Sequence, residues 1–250
     1  MTPRIKICGL STPEMVDAAL AAGADCLGFV FYEPSPRHIS YETAARLNAH
    51  VAGRAQKVAL TVDADDERLE QISKSLDPDW YQLHGKEMPE RVREIRERFG
   101  RPVIKAIHIA HAEDAGVAAA YIDAADMLLY DAKAPEGLEG ALPGGNGMLF
   151  DWTLIGGERR LPVMLSGGLD PDNVAEAIRV VRPDAVDVSS GVERRPGEKD
   201  PERIALFVER ARSVSKESVT CPVASSTPTA PAPTSRADSA SMAAVSSPRR

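Results

Sequence analysis

Eight short runs of apolar and β-branched residues recur at a near-regular interval through residues 1–213. They are Arg4–Cys8, Asp25–Phe31, Gln56–Val62, Trp80–Leu83, Pro102–Ile107, Asp126–Tyr130, Pro162–Leu165 and Ala185–Ser189. Each is apolar on both faces, the pattern of a strand covered on both sides. Helical patterns lie between them: Thr12–Ala22 with Pro13 in its first turn, Glu87–Phe99, Pro171–Val181, and Asp200–Arg212 with Pro201 near its start. With Ile5, Cys26, Lys57, Trp80, Val103, Met127, Val163 and Val186 as markers, the spacings are 21, 31, 23, 23, 24, 36 and 23 residues. Eight strands and a closing helix predict a single (β/α)8 TIM barrel of class α/β. The alternative, an open doubly wound sheet, usually stops near five or six strands. The two long intervals follow strands two and six, and hold Glu33-Pro-Ser-Pro-Arg37 and Ala132–Leu149. In a barrel these loops lie on the C-terminal face, where active sites sit.

Composition sets the limits of that barrel. Of the 35 residues from Lys216 to Arg250, 24 are Ser, Ala, Pro or Thr, and none is aromatic. Such a segment buries too little to offset the entropy of ordering it. The expected division is a catalytic barrel over 1–213 and a disordered tail over 214–250, with Cys221 in the tail. Hydrophobic residues at 43% and charged residues at 27% suit a globular body. A formal charge of −7 argues against nucleic acid as a partner, which calls for a basic stripe. No apolar run is long enough to span a membrane, and the start of the chain reads straight into Arg4 and Lys6. Three scattered cysteines give neither a disulfide framework nor a C-x-x-C zinc site, so reduced thiols and a cytoplasmic protein are expected.

Several residues fall where a barrel does its chemistry. Cys8 closes the first strand; alone it reads as a small core residue, but its place at the mouth makes chemistry an equal reading. Asp131 follows four apolar residues in Met127-Leu-Leu-Tyr-Asp131 and reads as a mouth-facing acid. Arg37 lies on a loop stiffened by prolines, suited to a carboxylate or phosphate; a surface salt bridge is the plainer alternative. His84 also falls at the mouth. His108 and His111 have no third ligand at a metal spacing, so no metal site is expected. Leu165-Ser-Gly-Gly-Leu169 and Asp187-Val-Ser-Ser-Gly-Val-Glu193 follow strands seven and eight, where barrels often bind phosphate through backbone N–H groups. Tight turns are the other reading. Gly145-Asn-Gly147 fails as a dinucleotide fingerprint, since it follows no strand directly.

In order along the chain, several motifs resemble those of phosphoribosylanthranilate isomerase, the tryptophan-pathway barrel. They are Lys6-Ile-Cys-Gly9, Phe29-Val-Phe31 with Ser35-Pro-Arg37, Gln82-Leu-His-Gly85, and Asp131 with Gly144-Gly-Asn-Gly147 and Phe150-Asp-Trp152. Ser166-Gly-Gly-Leu169 and Asp187–Glu193 with Pro196-Gly-Glu-Lys-Asp200 complete the set. The resemblance runs from Lys6 to about Val208. It implies an Amadori rearrangement of N-(5-phosphoribosyl)anthranilate, with Cys8 as general base and Asp131 as general acid. Arg37 would hold the anthranilate carboxylate, Asp187 would approach the sugar hydroxyls, and Gln82 and His84 would line the pocket. Phosphate would rest on Gly145, Gly147, Gly167, Gly168, Ser189, Ser190 and Gly191.

Those residue types suit the reaction. Asp131 must carry a proton for the furanose oxygen, which burial beside a phosphate and a carboxylate favours. Cys8 must accept the C2′ proton, for which a thiol of ordinary pKa about 8.5 needs a modest depression. No metal, nucleotide or redox cofactor is called for. The partner implied is a small phosphosugar, and monomer and homodimer both stay open. The loop Ala132–Leu142, with Lys133, Glu136 and Glu139, is longer than in many members and reads as a larger lid. A related phosphosugar barrel of the ProFAR isomerase type carries an aspartate where this chain has Cys8. A non-catalytic phosphosugar-binding barrel predicts a missing acid or base, and both are present.

Overall fold

The computed structural model describes residues 2–111, 114, 116–132, 151–155 and 159–217. Eight parallel strands close into a barrel in sequence order: β1 Arg4–Cys8, β2 Cys26–Phe31, β3 Gln56–Thr61, β4 Trp80–Leu83, β5 Val103–Ile109, β6 Met127–Ala132, β7 Val163–Leu165 and β8 Ala185–Val188. The ring shuts where β8 pairs with β1, Val186 beside Ile5 and Asp187 beside Lys6. The described helices are α1 Pro13–Ala22, α2 Tyr41–Val51, α3 Asp66–Leu76, α4 Pro89–Phe99, α5 Val174–Val181 and α6 Pro201–Glu217. The (β/α)8 expectation is therefore met. The closing helix runs past the boundary expected at residue 213; residues 218–250, with Cys221, lie outside the described residues.

The alternation of side chains along each strand separates two apolar layers. Ile5, Ile7, Leu27, Phe29, Tyr81, Leu83, Leu128 and Leu165 face outward and pack under the helices. Cys26, Val58, Ile104, Ala106, Met127, Leu129, Met164 and Ala185 fill the barrel interior. Both faces of every strand are covered, which is why the runs read as continuously apolar.

Helix starts follow ordinary capping rules. The Thr12 hydroxyl accepts from Met15 N at 3.3 Å with Pro13 in the first turn, and Asp65 accepts from Arg68 N at 2.9 Å. A less expected device recurs four times. Asp25, Asp79, Asp126 and Asp184, each just before an even-numbered strand, accept through their carboxylates the N–H of Ile5, Lys57, Val103 and Val163 at 2.7–2.9 Å. Their own N–H groups donate back to the carbonyls of the same four residues. The sheet is thus clasped in strand pairs on the face opposite the mouth.

After β8 the chain makes a short 3-10 helix, Ser190–Val192, then an antiparallel ribbon of β9 Glu193–Arg195 and β10 Glu198–Lys199. Gly197 turns the ribbon at φ 85° and sits against the β2 loop; a Cβ there would lie 2.6 Å from Pro36 O. The ribbon bridges the loops after β2 and β8.

Candidate active site

Cys8 ends β1 facing into the barrel, 3% exposed. Its register neighbour on β2 is Gly28, and a Cβ on Gly28 would come within 2.7 Å of the Cys8 Sγ. Glycine is what leaves the thiol room. One inward position below Cys8 is Lys6, wholly buried, whose Nζ donates to Asp187 Oδ1 at 2.7 Å. Ser166 Oγ donates to Asp187 Oδ2 at 3.1 Å, which ties β7, β8 and β1 together around one carboxylate. Burial pushes the Lys6 ammonium down, but Asp187 and the Cys8 thiol outweigh it and hold it above the usual lysine range. The depression expected for Cys8 is not met. Burial pushes the thiol up, the Lys6 charge pulls it back, Asp187 pushes it further up, and the net direction is upward.

Asp131, in β6, is also buried and faces inward. Its Oδ1 accepts the Ala132 N–H at 2.9 Å, and its Oδ2 lies 3.1 Å from His84 Nε2. Behind His84, Nδ1 lies 3.0 Å from Gln82 Nε2, while Gln82 Oε1 is buried without a hydrogen-bond partner. His108 packs edge-on against the His84 ring, centroids 5.1 Å apart, and its Nε2 is 3.4 Å from His84 O. Burial, then the neighbouring His84, hold the His108 imidazole below its usual pKa. Local spacing offered His108 no third ligand; the barrel supplies two, from adjacent strands. Donor atoms of His84, His108 and Asp131 all lie within 4.8 Å of one another.

Arg37 is buried rather than on the surface. Its Nε and Nη2 fork onto Glu193 Oε1 and Oε2, both at 2.8 Å. Lys199 Nζ reaches the same carboxylate at 2.6 Å and also donates to Ser189 O at 3.0 Å. Burial pushes the Glu193 carboxyl up, but the Arg37 hydrogen bond and the Lys199 charge outweigh it and hold it below the usual range. Gly9, at φ 81°, lets the Arg37 stem pass; a Cβ there would meet Arg37 Cδ at 2.6 Å. Lys6, Glu193 and Lys199 were not singled out from sequence.

The two glycine loops meet beside these groups. Gly167 has φ 82°, and a Cβ on it would lie 2.5 Å from Ala132 N and 3.0 Å from Asp131 Oδ1. Gly168 has φ 62° and accepts through its O from Asn173 Nδ2 at 2.9 Å. Gly191 packs so tightly on Leu169 and Asp170 that a Cβ would strike the Leu169 carbonyl. Ser189 Oγ donates to Cys8 O at 3.1 Å, and Ser190 opens the short helix. Gly145 and Gly147, with the loop residues Lys133, Glu136 and Glu139, lie outside the described residues.

A closed (β/α)8 barrel with a buried thiol, a buried carboxyl and a clamped guanidinium round one mouth has the make-up of a barrel enzyme's active site. Residues 5–210 match the family described as N-(5'phosphoribosyl)anthranilate (PRA) isomerase. An N-(5'-phosphoribosyl)anthranilate isomerase of Parvibaculum lavamentivorans is 56% identical over 213 residues, covering 85% of this chain and 99% of its own. The crystal structure of phosphoribosyl anthranilate isomerase from Thermotoga maritima is 39% identical with a TM-score of 0.76, covering 84% of this chain and 99% of that one. A second solved structure, of the isomerase in complex with reduced 1-(o-carboxyphenylamino)-1-deoxyribulose 5-phosphate, is 38% identical with a TM-score of 0.73 and the same coverage. The chain belongs to the phosphoribosylanthranilate isomerase family of tryptophan biosynthesis.

Proposed function

We propose that Cys8 and Asp131 carry out the Amadori rearrangement of N-(5-phosphoribosyl)anthranilate to 1-(2-carboxyphenylamino)-1-deoxyribulose 5-phosphate. Asp131, as general acid, gives its proton to the furanose oxygen as the C1′–O bond breaks, and the nitrogen lone pair forms the iminium. The iminium acidifies the C2′ hydrogen, and Cys8, as general base, removes that proton. The C2′ electrons neutralise the iminium to give the enol-amine, which tautomerises to the ketone. One proton goes on and one comes off, so no redox step enters.

The rest of the mouth supports these two groups. Lys6, two residues before Cys8 on the same strand, opposes the burial that pushes the thiol up. His84, 3.1 Å from the acid, holds the carboxyl in place. Arg37, fixed by Glu193, holds the anthranilate carboxylate, while Asp187 approaches the sugar hydroxyls and Gln82 with His84 lines the pocket. Phosphate rests on Gly145, Gly147, Gly167, Gly168, Ser189, Ser190 and Gly191, through backbone N–H groups and hydroxyls. The reading extends to a barrel that acts over residues 1–213, as a monomer or homodimer, in the cytoplasm, where free thiols such as Cys8 and Cys26 stay reduced. Among the described residues no helix is long and apolar enough to cross a membrane.

The observation that carries the reading is a buried thiol and a buried carboxyl facing inward on β1 and β6 of one mouth. The test follows the loss of substrate fluorescence. Cys8→Ala and Asp131→Asn each lower kcat by about 10² or more, the usual scale for acid–base catalysis. The double variant loses much less than the product, because the pair acts as a unit. A Cys8→Ala protein with near wild-type kcat returns Cys8 to the role of a small core residue.

A further inference from the structure

We propose that His84, His108 and Asp131 form a binding site for a divalent transition-metal cation of the Zn2+ type, and that the bound cation inhibits the enzyme by taking up the Asp131 carboxylate. Only the inhibitory half rests on Asp131 as the acid. The three residues come from adjacent strands, and His108 and Asp131 are register partners across β5 and β6. Two imidazoles and a carboxylate are a zinc-type donor set that leaves a coordination position open.

The distances are close to what a cation needs. Zinc bonds of about 2.0–2.1 Å in a tetrahedral arrangement put ligand atoms roughly 3.3 Å apart. His84 Nε2 and Asp131 Oδ2 already stand 3.1 Å apart. The His108 donor lies within 4.8 Å of both, so at most roughly 1.5 Å of closure reaches that separation. Its ring is half-buried, and the hydrogen bond it gives up, to His84 O, is long at 3.4 Å.

A second, independent observation is the unpartnered Oε1 of Gln82, on a side chain that is wholly buried directly behind His84. A ligating imidazole usually donates its other N–H to an acceptor that fixes the tautomer. Rotating the Gln82 amide brings Oε1 to His84 Nδ1 as that acceptor and leaves the Nε2 lone pair facing Asp131 and His108. The rotation exchanges which end of the amide is unpartnered, and moving the imidazole proton to Nδ1 gives up the His84 Nε2–H hydrogen bond to Asp131 Oδ2. The cation's bonds to those same two atoms replace it.

The test uses the untagged full chain and Zn2+ alone. Calorimetry is expected to show one Zn2+ per chain, reversed by a chelator, with Zn2+ raising the melting temperature. His108→Ala, which touches no atom that reacts, keeps the wild-type kcat and loses roughly tenfold or more in Zn2+ affinity. Cys8→Ala retains the affinity, which separates this site from thiol binding. Unchanged Zn2+ affinity in both His108→Ala and His108→Gln overturns the site. If wild type binds Zn2+ through His108 yet turns over normally when saturated, the inhibitory half is overturned and Asp131 loses its role as the acid, while the site itself stands.

Discussion

Gly28→Ala isolates the placement of the thiol from its chemistry. A Cβ at residue 28 would lie 2.7 Å from Cys8 Sγ, 3.1 Å from its Cβ and 2.9 Å from its Cα, and Cβ contacts below 3.0 Å essentially never occur. The thiol can rotate away, but the Cα cannot without shifting β1 on β2. That shift is resisted by Gly28 O, which accepts from both Gly9 N at 2.9 Å and Leu10 N at 3.0 Å. Overpacking of this kind costs about 1–3 kcal/mol. For a body of this size each kcal/mol moves the melting temperature by about 2–4 °C, so scanning calorimetry should show a fall of a few degrees or more. If Cys8 is the base as proposed, a displacement of about 1 Å at its sulfur costs on the order of 10²-fold in turnover, against a smaller change in KM because the proposed phosphate and carboxylate contacts involve other residues. Turnover by the fluorescence assay, well below the variant's melting temperature, separates the two effects. Wild-type kcat in a protein that melts lower would show that the position of the Cys8 sulfur is not what turnover depends on, and would remove the thiol from the mechanism.

Three further outcomes are expected. Asp79→Ala breaks one clasp and leaves the Lys57 N–H unpaired, which should cost about 1–3 kcal/mol in a denaturant midpoint while kcat holds. Arg37→Lys cannot reproduce the bidentate fork onto Glu193, so KM should rise with the fold intact in circular dichroism; unchanged KM and kcat would take Arg37 out of the site. Glu193 has a folded pKa below its unfolded value of about 4.3, so its contribution is present above that pH and is lost as pH falls through the folded value. Glu193→Gln should therefore flatten the loss of stability below about pH 4, measured by denaturant titration at a series of pH values.

Sequence shows the barrel because each strand is buried on both faces, and the β-branched runs stand out from the helices between them. The four clasping aspartates were not legible as a device. Asp25 and Asp126 sit at the head of their runs, but nothing local says that their carboxylates turn back to the preceding strand. The ribbon was not legible. Glu193–Arg195 and Glu198–Lys199 are strands of three and two residues with no apolar alternation, and they are ordered by packing on Pro36 rather than by a face of their own. The cluster of His84, His108 and Asp131 escaped for a related reason. Ligand spacing along a chain detects sites built on one turn or helix, whereas a barrel mouth gathers residues one strand interval apart.

Three buried charges that sequence reading passed over, Lys6, Glu193 and Lys199, join two that it singled out, Arg37 and Asp187. The side chains of Lys6, Asp187, Arg37, Glu193 and Lys199 are all buried, and they fall into two ionic groups, each with a lysine whose charge acts on Cys8. Buried ion pairs contribute little net stability, and well-packed apolar residues of the same volume often do as well or better. Stability therefore does not account for five charged side chains in one mouth. The proposed mechanism gives them a use. A thiol buried at the end of β1 is pushed up by its surroundings, and of the charges acting on it those of Lys6 and Lys199 pull it back. Asp187 keeps Lys6 charged in an environment that otherwise discharges it. Glu193 does two jobs at once, fixing the Arg37 fork and neutralising Lys199 across the ribbon. Removing Glu193 reaches Cys8 through Lys199, and removing Asp187 acts both through Lys6 and directly, so in the proposed mechanism both carboxylates tune the base.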